Sequence, residues 1–587
     1  MTYIIPISII LIYSTILSTI LKKRIEQTIP VSTLFMIIII YITGMFDNLK
    51  LGVTIIRVIS IIGLIIALSL LCKEKDKKVI KEKMKNIITP GAIIYIILCT
   101  LMIVINKGRK FDDIDEFNHW GKIIKNMFLF NTYGTNENSI ITFNEYPPLT
   151  AIFEYIFLTV KNVYSEDIII TANNILYISI IIPITEKIEW NKGLKNLLVI
   201  VPSIIFIPML FYPNFYLNIL VDGLLGVMFG MCIFYSCKKD TSVLKSINIF
   251  SMLTMMTLTK TTGIALAVVA FIIIFIKNIC EKDKKEIIKS IIIIILVTLV
   301  TSTWYIKANG AKKRWDFEKY VQSNEEKDDT YRNEFLKVIF ESTCIAEGKV
   351  SIFGSTCIII CIGFLVDKKL KEKNCNGRYY IISIVISIII YMVALYVSYI
   401  TIFEKIEADV FACFDRYSST MLLAGIIFEF AVLTDCAIEI NLKKGFIIFT
   451  MFLVMFPYQN FSEKYIKHKG SIIKTNINRT SYTGIAKYKS VLNEDDKILF
   501  ITGNAVDKEY LITINEYEMM PIKITDFKDG NFGTKEQFNN VVGKYDFVFV
   551  YRYKEQIENI IEKELQQDTL YKINYENSEV ELQMVEK

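Results

Sequence analysis

The chain has 587 residues, 53% of them hydrophobic, and a formal net charge of +6. Its many Ile-rich apolar runs approach the roughly 20 residues that cross a bilayer's hydrocarbon core, which excludes a soluble globular class. The small basic surplus belongs to loops, and no nucleic-acid module is present, so nucleic acid is not an expected partner.

Taken in chain order, the apolar runs predict membrane helices at 3–21, 31–46, 51–71, 87–105, 168–185, 197–213, 217–236, 244–259, 262–279, 290–306, 351–366, 379–402, 418–438 and 446–460. In lipid only helices and closed barrels satisfy the backbone, and barrel strands alternate, so uninterrupted Ile-rich runs read as helices. Lys22-Lys23-Arg24 and the basic linker 73–85 read as cytoplasmic, which puts the N-terminus outside and sends 87–105 out of the cell. The apolar stretch 147–160 is too short for a span. If it crossed, the basic clusters at 238–239, 282–289, 368–378 and 443–444 would all fall outside; lying at the outer surface as a juxtamembrane or re-entrant helix, it leaves all four inside.

The expected fold class is therefore an all-α polytopic membrane protein with a small C-terminal α/β domain. Residues 1–86 form N-terminal membrane helices, 87–460 a membrane core with outer loops 106–167 and 307–350, and 461–587 a soluble domain placed outside the cell by the helix count. In that tail, Lys497–Thr502 and Tyr545–Tyr551 read as buried strands and Gln556–Gln567 as a helix. Eleven cysteines show no C-x-x-C metal pattern.

Candidate chemistry starts at Phe111–Gly121, which holds Asp112, Asp113, Asp115, Glu116, His119 and Trp120. A carboxylate pair at the outer end of a membrane helix can act as a positioned general base, with Asp115 and Glu116 the candidates; the alternative is a solvated acidic loop. Phe111, Phe117 and Trp120 suggest docking at the membrane interface. His119 can donate a hydrogen bond, pack at that interface, or join Asp115, Glu116 and Glu145 as ligands of a divalent metal. In Asn144-Glu145-Tyr146-Pro147-Pro148-Leu149 the prolines set a helix start. Asp222, Lys260 and Arg416 all fall at the outer surface. Ionisable groups there are functional candidates, and the two cations suit a lipid-linked phosphate. Helix-end snorkelling for Lys260, an ion pair of Arg416 with Asp415 or Glu407, and an N-cap for Asp222 are the structural alternatives.

Asp115-Glu116 on the first outer loop, followed by Tyr146-Pro147-Pro148-Leu149, resembles the GT-C-fold membrane glycosyltransferases, in particular protein O-mannosyltransferases and lipid A aminoarabinose transferases. Lys260-Thr261-Thr262-Gly263 and Arg416-Tyr417 are similar to later patterns of those families. The resemblance implies one-step transfer of a sugar from a polyprenyl-phosphate donor to an extracytoplasmic glycan, lipid or protein acceptor. It makes Asp115 the catalytic carboxylate with Glu116 in support, Lys260, Arg416 and Tyr146 the donor-phosphate residues, and His119, Glu145 and Asp222 supporting residues. No cofactor is required on this reading, with a divalent metal the open alternative. The chain departs from those families in its extra N-terminal helices and in Tyr146, which stands where they carry a basic residue or His. A lipid-linked polysaccharide polymerase or ligase and a transporter are the competing classes. A topology reporter fused within 280–289 is expected to report the cytoplasm; an external signal would break the argument that 147–160 does not cross.

Overall fold

A computed structural model describes all residues except 74–75, 136–140, 142, 310–329, 342, 347, 374, 404, 437–457, 504, 553–557, 559, 561–563, 577–578 and 587. The chain forms two compact units: Met1–Gly108, Asn131–Glu137 and Phe143–His468 make the first, and Arg109–Phe130, Asn138–Thr142 and Lys469–Lys587 the second.

The first unit is helical. Ten helices among the described residues are long and apolar enough to cross a membrane, and the chain is a multi-pass membrane protein. Every predicted span is a helix except 446–460, most of which lies outside the described residues. Two of them, Asp222–Cys237 and Val243–Thr257, have 16 and 15 residues. At 1.5 Å per residue each reaches only about 20–25 Å, short of a hydrocarbon core about 30 Å thick. The prediction for 147–160 corresponds to the 13-residue helix Leu149–Lys161. Its residues from Leu149 to Leu158 are all buried, so protein encloses the helix on every side.

Asp222–Cys237 is the innermost helix of this unit, with every residue buried. It packs against Val243–Thr257, Thr261–Cys280, Glu166–Ile181 and, most extensively, Phe414–Cys436. Glycine explains the last contact. A Cβ at Gly226 would lie 2.4 Å from the Thr420 carbonyl oxygen, and one at Gly230 would lie 2.6 Å from that of Ala424. Without lipid-excluding hydrophobic drive, membrane helices associate through such close backbone approach, and small residues four apart permit it. Gly226 faces Thr420 and Gly230 faces Ala424, so the two helices run parallel. One turn earlier the same register brings Asp222 to Arg416.

The second unit is built on a five-stranded sheet in the order Asp526–Lys528, Ile498–Ile501, Phe547–Val550, Thr569–Glu576 and Glu579–Met584. The first three are mutually parallel and the last two pair antiparallel. The two predicted strands are Ile498–Ile501 and Phe547–Val550, both central; the predicted helix at 556–567 falls largely outside the described residues. Alternate side chains of Ile498–Ile501 enter different cores. Ile498 and Phe500 pack with Leu511 and Met519 of the helix Lys508–Met519. Leu499 and Ile501 pack with Phe538 and Val542 of the helix Lys535–Val542. A parallel strand covered on both faces must be apolar throughout, which is what the run Ile-Leu-Phe-Ile provides.

Arg109–Phe130, expected within an outer loop of the membrane core, folds with this sheet domain instead. Its aromatic residues do not meet the membrane interface as the sequence suggested. Phe111 and Phe117 are fully buried, and their rings lie 6.0 and 5.4 Å from that of Tyr517 on the Lys508–Met519 helix. The protein itself supplies the apolar surface that lipid was expected to provide.

Gly226→Leu is expected to push the paired helices apart and to cost about 1–3 kcal/mol by overpacking. A lowered unfolding temperature in detergent would show this. Gly470→Leu serves as control, since nothing lies within 4 Å of its added Cβ.

Candidate active site

Four of the residues singled out in the sequence converge in the first unit. The Lys260 ammonium bonds Asp222 Oδ1 at 3.0 Å, and Arg416 Nε lies 3.4 Å from Asp222 Oδ2. Lys260 sits 5.3 Å from the centre of the Tyr417 ring and 6.0 Å from that of Tyr146. The Arg416 guanidinium lies 5.1 Å from the Tyr417 ring centre and donates to its hydroxyl at 3.2 Å. Asp222 and Lys260 are both buried. Burial pulls the Lys260 ammonium downward, but the Asp222 carboxylate and the Tyr146 and Tyr417 hydroxyls outweigh it, and the net shift is upward. Lys260 therefore stays charged, and two cations face the one Asp222 carboxylate. The structural alternatives resolve accordingly. Lys260 turns to Asp222 rather than snorkelling, and Arg416 also lies against Asp222, a residue the sequence reading did not name as its partner. Asp222 lies in the first turn of its helix, and its carboxylate faces the two cations.

Local sequence explains the placement. The helix Thr261–Cys280 begins immediately after Lys260 and doubles back against Val243–Thr257. A Cβ at Gly263 would meet the Met256 carbonyl oxygen at 2.0 Å, so only glycine allows so tight a corner. Lys260 is the residue at that corner, with extended backbone. Arg416 is held from the other side, where the Tyr212 hydroxyl donates to its carbonyl at 2.8 Å and pairs with the Thr420 hydroxyl at 3.0 Å.

The Pro147-Pro148 motif ties the preceding residues to the same corner. The Leu149 N–H donates to the Leu258 carbonyl at 2.9 Å, and Trp304 Nε1 donates to the Glu145 carbonyl at 2.8 Å. These anchors set Tyr146 beside Lys260. Glu145 lines a cavity of 680 Å³ with Leu253, Thr257, Ile264, Val268, Thr301 and Tyr305 among its walls. The walls are mostly apolar, relieved by a hydrogen bond of 2.8 Å from the Thr301 to the Thr257 hydroxyl. Val268 and Ile306, both on its walls, are exposed on helices long and apolar enough to span. The cavity thus combines a lipid-facing apolar lining with Glu145, adjacent in sequence to Tyr146, and Thr257, three residues before Lys260. Trp304 lies inside the helix Lys284–Asn309, its ring 5.4 Å from that of Tyr133.

Asp115, Glu116 and His119 belong to the second unit. The Asp-Glu pair divides there. Glu116 is buried, and its Oε2 accepts the backbone N–H groups of Asp112 at 2.9 Å and Asp113 at 3.0 Å. It closes the turn that carries Asp115. Asp115 is half-buried, with its own N–H donating to Asp113 Oδ1 at 2.9 Å. A π-helical turn, Glu116–Trp120, follows, and such wide turns gather at functional sites. Gly121 permits it, since a Cβ there would lie 2.5 Å from the Glu116 carbonyl oxygen. His119 is buried, its ring 4.6 Å from that of Trp120. Among the described residues no group of three or more His, Cys, Asp or Glu side chains is arranged to hold a metal ion.

Sequence reading passed over the Gly226/Gly230 spacing, although small residues four apart in an apolar helix are a readable sign of close packing. No local signal marked the Asp222–Arg416 pairing, which spans separate helices.

No protein-family model and no curated protein sequence matches the chain. Among solved structures, the chain is similar to the crystal structure of ArnT from Cupriavidus metallidurans bound to undecaprenyl phosphate. The identity is 12% and the TM-score 0.43, with 74% of this chain and 85% of that chain covered.

Asp222→Asn is expected to leave the buried Lys260 and the half-buried Arg416 without this counter-charge and to cost roughly 3–5 kcal/mol. Thermal denaturation of the purified protein measures this. The double change Asp222→Asn with Lys260→Met should recover part of the loss.

Proposed function

We propose that the chain is a membrane glycosyltransferase that moves a sugar from a polyprenyl-phosphate donor to an extracytoplasmic acceptor. The observation that carries this reading is the convergence of two cations, Lys260 and Arg416, on Asp222, with Lys260 6.0 Å from the ring of Tyr146, the neighbour in sequence of Glu145 on the wall of the apolar cavity. A phosphate on a prenyl chain needs both features: cations for the anion and an apolar wall for the tail.

On this reading the acceptor hydroxyl oxygen attacks the anomeric carbon as the bond from that carbon to the phosphate oxygen breaks. The electron pair of that bond leaves with the phosphate, where Lys260 and Arg416 stabilise the added charge. The acceptor proton passes to a carboxylate base, the role that the family resemblance gives Asp115, and Glu116 holds the turn that carries Asp115. Tyr146 stands in the place of a basic residue and confines the Lys260 ammonium by its ring. The cations take the charge-stabilising role here, so transfer should persist in EDTA. The lipid phosphate, membrane lipids and a glycan, lipid or protein acceptor are the expected partners.

The test is a transfer assay on the reconstituted protein with a panel of polyprenyl-phosphate sugars. Lys260→Met should lower kcat by about 10²–10³, as loss of a charge-stabilising group does elsewhere. Asp115→Asn should abolish transfer at an unchanged protein level, and wild-type activity in that variant would remove Asp115 as the base.

A further inference from the structure

We propose that the C-terminal domain positions the acidic loop, with Phe117, Arg479 and Tyr517 as positioning residues for Asp115. The catalytic half of this inference rests on the transferase reading above; the docking half does not.

The loop is gripped by one helix and one arginine. The Phe117 ring lies edge-on to Tyr510 at 5.8 Å and to Tyr517 at 5.4 Å. The Arg479 guanidinium lies 5.1 Å from the Phe117 ring centre and 5.5 Å from that of Tyr517. Arg479 is itself buried and fixed by Glu518 Oε1 at 2.5 Å. Further along the segment, Lys122 pairs with Glu516 at 2.5 Å, its side chain only 1% exposed. The Lys125 ammonium donates to the Tyr517 carbonyl at 2.6 Å and lies 4.2 Å from the centre of its ring. Partners at 510, 516, 517 and 518 come from the first and last turns of the Lys508–Met519 helix.

Burying lysines is costly unless each is paired, and here each has its acceptor. So specific an arrangement exceeds what is needed to tether a loop. Asp115 stands two residues before Phe117 and directly before Glu116, whose carboxylate is committed to the turn. A shift of Phe117 therefore moves Asp115. A displacement near 1 Å in a reacting group costs about 10²-fold in rate.

Hydrogen exchange on the full-length protein in nanodiscs tests the docking directly. Tyr517→Ala should speed exchange across 109–121 while leaving the membrane helices and the strand Ile498–Ile501 protected. Phe117→Leu, which keeps an apolar side chain but loses the ring contacts, should do the same from the loop side. In the transfer assay both variants should lower kcat by about 10²-fold and leave the KM for the donor unchanged. Tyr517→Phe should restore exchange and kcat together. Unchanged protection of 109–121 in both variants overturns the proposal, as does faster exchange with unchanged kcat. If the wild-type protein transfers no sugar from any donor, the transferase reading falls, and the exchange result alone decides the docking.

Discussion

The backbone-to-backbone approach of the helices Asp222–Cys237 and Phe414–Cys436 is the constraint on which the membrane unit depends. Two glycines spaced four residues apart let the chains touch at Thr420 and Ala424. Parallel helices in fixed register then have only one place for the next rung, and that rung is Asp222 against Arg416. Packing thus creates the electrostatics. A bulkier pair of helices would leave the aspartate and the arginine too far apart to pair, each bearing its own desolvation cost.

Around that rung the remaining parts follow from short-range rules. A glycine corner places Lys260, and a pair of prolines ends the loop before it so that Tyr146 meets the ammonium. Trp304 holds the Glu145 carbonyl, and Glu145 lines the apolar cavity. Two cations set against one carboxylate are a poor way to stabilise a fold, because isosteric apolar residues would serve as well or better.

Much of the membrane architecture was legible because a bilayer leaves the chain few options: length and hydropathy suffice to find helices. The residues of the cationic cluster were also legible one at a time, since an ionisable group beside an apolar run is conspicuous. Their mutual contacts were not. Arg416 was expected to pair with Asp415 or Glu407, neighbours in sequence, and it meets Asp222, on another helix, which no local pattern pointed to. The acidic loop shows the same limit more sharply. Its aromatic residues announced a need for apolar surroundings, but periodicity cannot say whether lipid or protein supplies them. The answer lay in a helix whose Tyr517 carbonyl is 392 positions from Lys125. Glu116 illustrates a subtler loss, since composition cannot distinguish a carboxylate aimed at a substrate from one wrapped around its own backbone.

The union of Arg109–Phe130 with Lys469–Lys587 also has a consequence in time. A ribosome adding roughly 5–20 residues per second makes the first segment tens of seconds before the helix that receives it. Throughout that interval the rings of Phe111 and Phe117 lack their eventual protein neighbours, while helix after helix enters the bilayer. The acidic loop is therefore synthesised long before the helix on which it matures. Because the receiving helix follows the membrane helices in the chain, a polypeptide cut before residue 508 would never complete the loop, however well its membrane helices assembled.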